Sequence, residues 1–300
     1  MMKSLMIHIL LCLSFTQPLT LDTHYHLSPV PLPPAATAPS YDAFSSSLGL
    51  KNTVVTQPAK TMSDHSYMLE HLSATRRGVA LLTPPLPPDA PSFTARPHPT
   101  AVTDAQSYSA LSQSNPYLSG ARFNPSLWPS SGVPSELLRL YAHLGSPPDG
   151  FDPSRSERFG SSSQSRNGVA SLLLMSGGWA AHEDLALRLV SLSPTTPVVV
   201  DHMGFCPLGR EGDVAYGRLL DLVKDAENVY VRCSAPFRTG EGYGEVGRER
   251  VEGLVRAKGE RALWGTDWPF EGRAEEWMRV CEGLGVEDGP GEKLYGFDES

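Results

Sequence analysis

Eight short apolar runs recur along this 300-residue chain, and their rhythm limits the fold more than any single motif. They are Leu19–His26, Thr53–Gln57, Gly78–Thr83, Gly120–Asn124, Val169–Met175, Val198–His202, Val229–Ser234 and Ala262–Asp267. Several are apolar at nearly every position, as strands covered on both faces must be. Helical patterns lie between most of them: Ser66–Ser73, Ser135–Leu144, Ala181–Leu192, Asp213–Ala226, Glu245–Gly259 and Ala274–Leu284. His202 stands 31 residues before Cys233, and Cys233 stands 34 before Asp267, close to one strand-plus-helix unit of about 30 residues. Strand–helix alternation builds parallel sheets. Eight units predict an α/β protein of one domain, a (β/α)8 or TIM barrel, in preference to an open doubly wound sheet.

The predicted barrel occupies residues 19–298, preceded by an N-terminal extension or signal-like segment at 1–18. Two stretches break the rhythm. Residues 83–100 are rich in proline, which suits an extended surface excursion. Residues 145–168 are rich in Ser, Gly and Pro, which predicts a loop. At the start, Lys3 precedes an apolar stretch from Leu5 to Phe15 that has the form of a secretory signal. No small-residue cleavage site follows it, so a cytoplasmic location is favoured and secretion is the alternative. The stretch is too short for a transmembrane span. A net charge of −8 with no basic stripe argues against a nucleic-acid partner. The cysteines, Cys12, Cys206, Cys233 and Cys281, contain no C-x-x-C pair, which excludes zinc-ribbon and thioredoxin-like chemistry.

Three runs end in residues that carry chemistry: Asp22-Thr23-His24-Tyr25-His26, Asp201-His202-Met203-Gly204 and Trp264-Gly265-Thr266-Asp267-Trp268-Pro269. In parallel α/β enzymes the carboxyl ends of strands are where sites are built. His24 and His26 alternate along a strand and share a face. Such a pair ligates zinc or donates hydrogen bonds to a carbonyl; one member alone is more simply a satisfied core histidine. Alternation sends Asp201 to the face opposite His202, where it would bind backbone groups in the turn. Gly265 permits a close backbone approach. Asp267 is a candidate general base or metal ligand, and Trp264 and Trp268 beside it predict a raised pKa; an N-cap aspartate is the plainer reading.

Together, these three motifs resemble the amidohydrolase-related superfamily of metal-dependent hydrolase barrels, and most closely its 2-pyrone-4,6-dicarboxylate lactonase-like branch. Fainter echoes follow in the same order: Val55-Thr56-Gln57-Pro58, Arg77-Gly78-Val79-Ala80, Ala121-Arg122-Phe123-Asn124 and Lys293-Leu294-Tyr295-Gly296-Phe297. The resemblance implies a hydrolase that opens a cyclic ester of a small anionic carboxylated or sugar-like substrate. It assigns His24, His26 and His202 to polarising the carbonyl and Asp267 to activating water. It assigns Arg122, Arg238 and Gln57 to holding substrate, the arginines through carboxylates. It implies that no metal is required, or that a single divalent ion such as zinc sits on His24, His26 and Asp267.

The chain departs from that branch in places. Residues Ser171–Met175 supply no histidine, which argues against a two-metal site. Ala59, Phe205 and Asp288-Gly289-Pro290 stand where the branch tends to carry other residues, which points to a different substrate. Two other functions remain. A zinc-dependent decarboxylase or hydratase would need a further histidine, and only His143 and His182, both in helical patterns, are near. A non-catalytic barrel binding a ligand or partner has no physical need for four converging buried polar groups.

Overall fold

The computed structural model describes residues 18–27, 37–57, 64–82, 98–127, 135–145, 168–175, 177–239, 244–269 and 273–297. The signal-like segment, nearly all of the Pro-rich stretch and residues 146–167 of the Ser/Gly-rich one lie outside these. The chain runs β1 (Leu21–Tyr25), α1 (Ala38–Ser47), β2 (Asn52–Thr56), α2 (Ser66–Glu70), β3 (Arg76–Leu81), α3 (Ala105–Ser114) and β4 (Leu118–Phe123). It continues with α4 (Ser135–Leu144), β5 (Val169–Leu172), α5 (Gly178–Leu192), β6 (Val198–Val200), α6 (Arg210–Asp225) and β7 (Val229–Cys233). α7 (Glu245–Lys258), β8 (Ala262–Trp264), α8 (Ala274–Gly283) and α9 (Gly289–Tyr295) complete it. Among the described residues, no helix is long and apolar enough to cross a membrane.

All eight expected strands form and pair in parallel in sequence order, a single-domain (β/α)8 barrel. The seam closes at the strand ends: Asp267 N donates to His24 O at 2.7 Å, and His26 N donates to Trp268 O at 2.9 Å. Two cores result from the alternation of side chains. Leu21, Val54, Val79, Val169, Val199 and Leu263 fill the barrel floor, closed from below by Tyr295 and Phe297. Their neighbours in sequence, such as Val55, Ala80, Ala170, Val198 and Val200, face outward and pack with the helices. Burying each such aliphatic side chain contributes about 1.5–3 kcal/mol.

α1, α3 and α9 have no counterpart among the expected helices. α3 is fixed by a capping box, in which the Asp104 carboxylate accepts from Ser107 N at 2.7 Å and Ser107 Oγ accepts from Asp104 N at 3.0 Å. Below the barrel, the Asp288 carboxylate at the head of α9 accepts from Thr20 Oγ1 at 2.9 Å and Leu21 N at 3.1 Å. That contact anchors the start of β1.

Candidate active site

β1 carries the first part of the site. Its pairing with β2 shifts register between Asp22 and Tyr25. Tyr25 turns outward and stacks on Tyr41 at 3.5 Å between ring centroids. His24 and His26 turn inward as expected, with their Nε2 atoms 3.3 Å apart. Asp22 underlies the turn: its carboxylate accepts from His24 N (3.0 Å), Thr266 N (2.9 Å), Thr266 Oγ1 (2.7 Å) and Tyr41 Oη (2.8 Å). Burial pushes Asp22 up to about 6, and those four donors hold it from rising further.

β8 brings in Asp267 beside the histidines. Gly265 makes this possible, because a Cβ there would lie 2.7 Å from His24 Cβ and 2.9 Å from His24 N. Asp267 itself takes a positive φ of 55°, which turns its carboxylate into the barrel mouth. Asp267 Oδ1 lies 3.2 Å from His26 Nε2, 3.3 Å from His24 Nε2 and 3.8 Å from His202 Nε2. The predicted raised pKa is overturned. Burial works in that direction, but His202 and the hydrogen bonds from His24 and His26 outweigh it and hold Asp267 well below its ordinary value. The tryptophans are not its pocket: Trp264 packs in the outer core, and Trp268 packs against Tyr41 and Phe44.

The third motif also departs from expectation. Strand alternation ends at Val200, and His202, Met203 and Gly204 take positive φ of 52°, 52° and 73°. This left-handed turn swings His202 inward as well, so Asp201 and His202 both face the barrel. Asp201 does not bind turn backbone as predicted. It accepts from Arg122 Nε at 2.8 Å and from Ser171 Oγ at 3.1 Å, and it pairs with Arg232. Burial works to raise its pKa, but Arg122 and then Arg232 pull it far below the usual carboxylate range. A fully buried layer of one carboxylate and two guanidiniums therefore lies between the apolar floor and the histidines.

The remaining expected residues divide. Arg122 is buried and spends its guanidinium on Asp201, with NH2 3.4 Å from His24 Nε2. Gln57 is buried at the end of β2, where Nε2 donates to Asp64 O at 2.8 Å. Arg238 lies in the 3-10 turn Pro236–Thr239 above β7, with its side chain outside the described part. Ala59 also lies outside it, and Phe205 packs edge-on against the His202 ring at 4.9 Å. His143 and His182 are on the outer helices α4 and α5. Arg232 was missed. Its signal was a lone cation in the apolar run Val229-Tyr230-Val231-Arg232-Cys233, and its partner is 31 residues away in sequence.

A divalent metal tests the donor set. His24, His202 and Asp267 offer ligand atoms within 4.8 Å of one another. The expected set of His24, His26 and Asp267 is tighter, at 3.2–3.3 Å. Those spacings approach the ~3.4 Å edge of a tetrahedron with ~2.1 Å zinc bonds. The hydrogen bonds separate the members. His26 Nδ1 lies 2.6 Å from Thr56 O, an acceptor, so Nδ1 carries a proton and Nε2 is the nitrogen that faces the site, 3.2 Å from Asp267 Oδ1, as in a ligand. His202 Nδ1 meets Ser234 Oγ at 2.9 Å, which serves equally. His24 Nδ1 meets Arg232 NH1 at 3.0 Å, and a guanidinium only donates. His24 Nε2 then holds the ring proton, and the set that includes it does not fit a metal.

Residues 180–284, from α5 to α8 and including His202, Arg232 and Asp267, match the family model described as Amidohydrolase. No curated protein sequence matches the chain. Among solved structures, a protein from Pseudomonas putida assigned as a 2-pyrone-4,6-dicarboxylic acid hydrolase is 18% identical, with 93% of this chain and 98% of that one covered and a TM-score of 0.63. One from Acinetobacter baumannii with the same assignment, holding citric acid, is 15% identical over 92% and 99%, at 0.65. The 4-oxalomesaconate hydratase of Rhodopseudomonas palustris is 13% identical over 93% and 96%, at 0.53. These likenesses are of fold. The chain is thus a (β/α)8 barrel whose residues 180–284 are similar to the Amidohydrolase family.

Proposed function

We propose that this protein hydrolyses a lactone of a small carboxylated or sugar-like molecule. The observation that carries the reading is the convergence of His24, His26 and His202 on Asp267 Oδ1, at 3.2–3.8 Å, in the barrel mouth. In the free site His24 donates toward Asp267. A substrate carbonyl placed there takes over that hydrogen bond, which polarises the carbonyl and frees the carboxylate. Water attacks the carbonyl carbon while Asp267 accepts its proton. Negative charge moves to the carbonyl oxygen, where the His24 donor stabilises it, usually the largest contribution to such a reaction. The ring C–O bond then breaks, and the alkoxide takes the proton back from Asp267. The product is a hydroxy acid, the lactone plus one water. On this reading Arg238 and Arg122 hold substrate carboxylates, although Arg122 must share its guanidinium with Asp201.

The pyrone dicarboxylate hydrolase assignments of two similar folds and the citric acid held by one of them support an anionic substrate. A resident divalent ion would polarise the same carbonyl or acidify water. His26, His202 and Asp267 have the donor chemistry for one, and His24 does not.

The test is a panel of carboxylated and sugar lactones, assayed with and without chelator. Asp267→Asn should lower kcat by about 10²–10⁴-fold with the fold intact by circular dichroism. Undiminished hydrolysis in that variant would refute the assignment. Chelator-sensitive turnover with about one metal equivalent would favour the decarboxylase or hydratase reading. Inertness toward every lactone would favour a binding barrel.

A further inference from the structure

We propose that Arg232 is a positioning residue: by donating to His24 Nδ1 it forces the ring proton onto Nε2, so that His24 is a fixed hydrogen-bond donor to the reacting group. The inference stands on geometry alone and does not depend on which bond the protein cleaves.

Arg232 is fully buried, and its hydrogen bonds aim in three directions. NH1 meets His24 Nδ1 at 3.0 Å and also pairs with Asp201, while NH2 meets Tyr295 Oη at 2.5 Å. Tyr295 rises from the apolar floor and Asp201 from β6, so the guanidinium is braced on both sides. Arginine keeps its protons in proteins and has no acceptor. His24 Nδ1 must therefore present a lone pair. A proton there would point at a donor, and the alternative acceptor, Asp201 Oδ1, is 3.8 Å away, beyond hydrogen-bond reach. A doubly protonated ring is opposed as well. Its Nδ1 proton would point at the same guanidinium donor. The neutral ring then has its one proton on Nε2, where Asp267 Oδ1 accepts it at 3.3 Å. Of the two guanidiniums near the ring, Arg232 is the closer donor, 3.0 Å from Nδ1, whereas Arg122 NH2 is 3.4 Å from Nε2 and bonds Asp201 at 2.7 Å.

The two histidines of one His-x-His word thus have their Nδ1 atoms fixed in opposite senses by their neighbours. His26 Nδ1 donates to Thr56 O, whereas His24 Nδ1 accepts from Arg232, which leaves His24 Nε2 to donate. His24 therefore directs its hydrogen bond in one sense only, toward Asp267 or a bound carbonyl.

The experiment is long-range ¹H–¹⁵N correlation of the histidine side chains in uniformly labelled protein near neutral pH, with His24 assigned by the signal lost in His24→Gln. The expected wild-type pattern has His24 protonated at Nε2 and His26 at Nδ1. A His24 proton at Nδ1, or a metal-bound pattern at His24 on adding zinc alone, overturns the proposal, and both are read on the wild type. Arg232→Met should release the tautomer, giving a mixed or reversed His24 pattern, and Arg232→Lys should restore it in part. An unchanged Nε2 proton in folded Arg232→Met would show that something else sets the tautomer. With a turned-over substrate in hand, loss of the donor should lower kcat by roughly 10²-fold and leave KM nearly unchanged. A purely structural arginine would move neither the tautomer nor that split.

Discussion

Replacing Asp201 with Asn tests the buried charge layer directly. The carboxylate is fully buried and accepts from Arg122 Nε at 2.8 Å, Arg122 NH2 at 2.7 Å, Ser171 Oγ at 3.1 Å and Arg232. Asn is nearly isosteric, so the core volume and Ser171 contact survive. What disappears is the carboxylate that, among the described residues, pairs with two buried guanidiniums. Breaking a buried pair in this way costs about 3–5 kcal/mol, because the orphaned cation stays buried. Whole domains are stable by only about 5–15 kcal/mol. Urea denaturation followed by tryptophan fluorescence should show a much lower midpoint with an unchanged slope. Adding Arg122→Met to Asp201→Asn should recover at least ~1 kcal/mol, since one of two repelling cations is gone. If Asp201→Asn stays within ~1 kcal/mol of wild type, the layer does not hold the barrel together as argued.

Three further outcomes are expected. Gly265→Ala would drive a methyl against His24 Cβ and N, at 2.7 and 2.9 Å, so the β1–β8 seam must part; stability should fall by about 1–3 kcal/mol, read by thermal unfolding. Asp104→Ala removes the cap of α3 and should cost about 1 kcal/mol in urea. Asp22 is raised by burial from 3.8 to about 6. It therefore contributes stability that is fully present below its unfolded value and is lost as pH rises through about 6, a difference of about 3 kcal/mol. Asp22→Asn should flatten the stability profile across that window, and an unaltered profile would count against the raised value.

The sequence disclosed the strands well because a parallel sheet covered on both faces leaves apolar runs such as Val198–Val200. It disclosed α1 and α3 poorly because APSYDAFSSS and AQSYSALSQS are short and serine-rich, with little apolar periodicity to read. Their stability comes from tertiary packing and caps. The Asp104-x-x-Ser107 spacing was the available clue. For the site, His24, His26, His202 and Asp267 were legible as polar residues ending apolar runs. The orientation of Asp201 was not, since a strand rule cannot foresee the left-handed turn at His202–Gly204. Arg232 escaped because its meaning depends on two partners, His24 and Asp201, that sequence distance conceals.

The seam between β1 and β8 gives the site a birth order. His24 and Asp267 are joined by a backbone hydrogen bond of 2.7 Å, yet 241 residues separate the carboxylate from its other neighbour, His26. During synthesis His24 and His26 emerge first, and Asp267 follows 241 residues after His26. Contacts this distant in sequence also form late and slowly. No partly made chain, however well its first strands have assembled, holds the reactive constellation. Completing the ring and arming the site are one event.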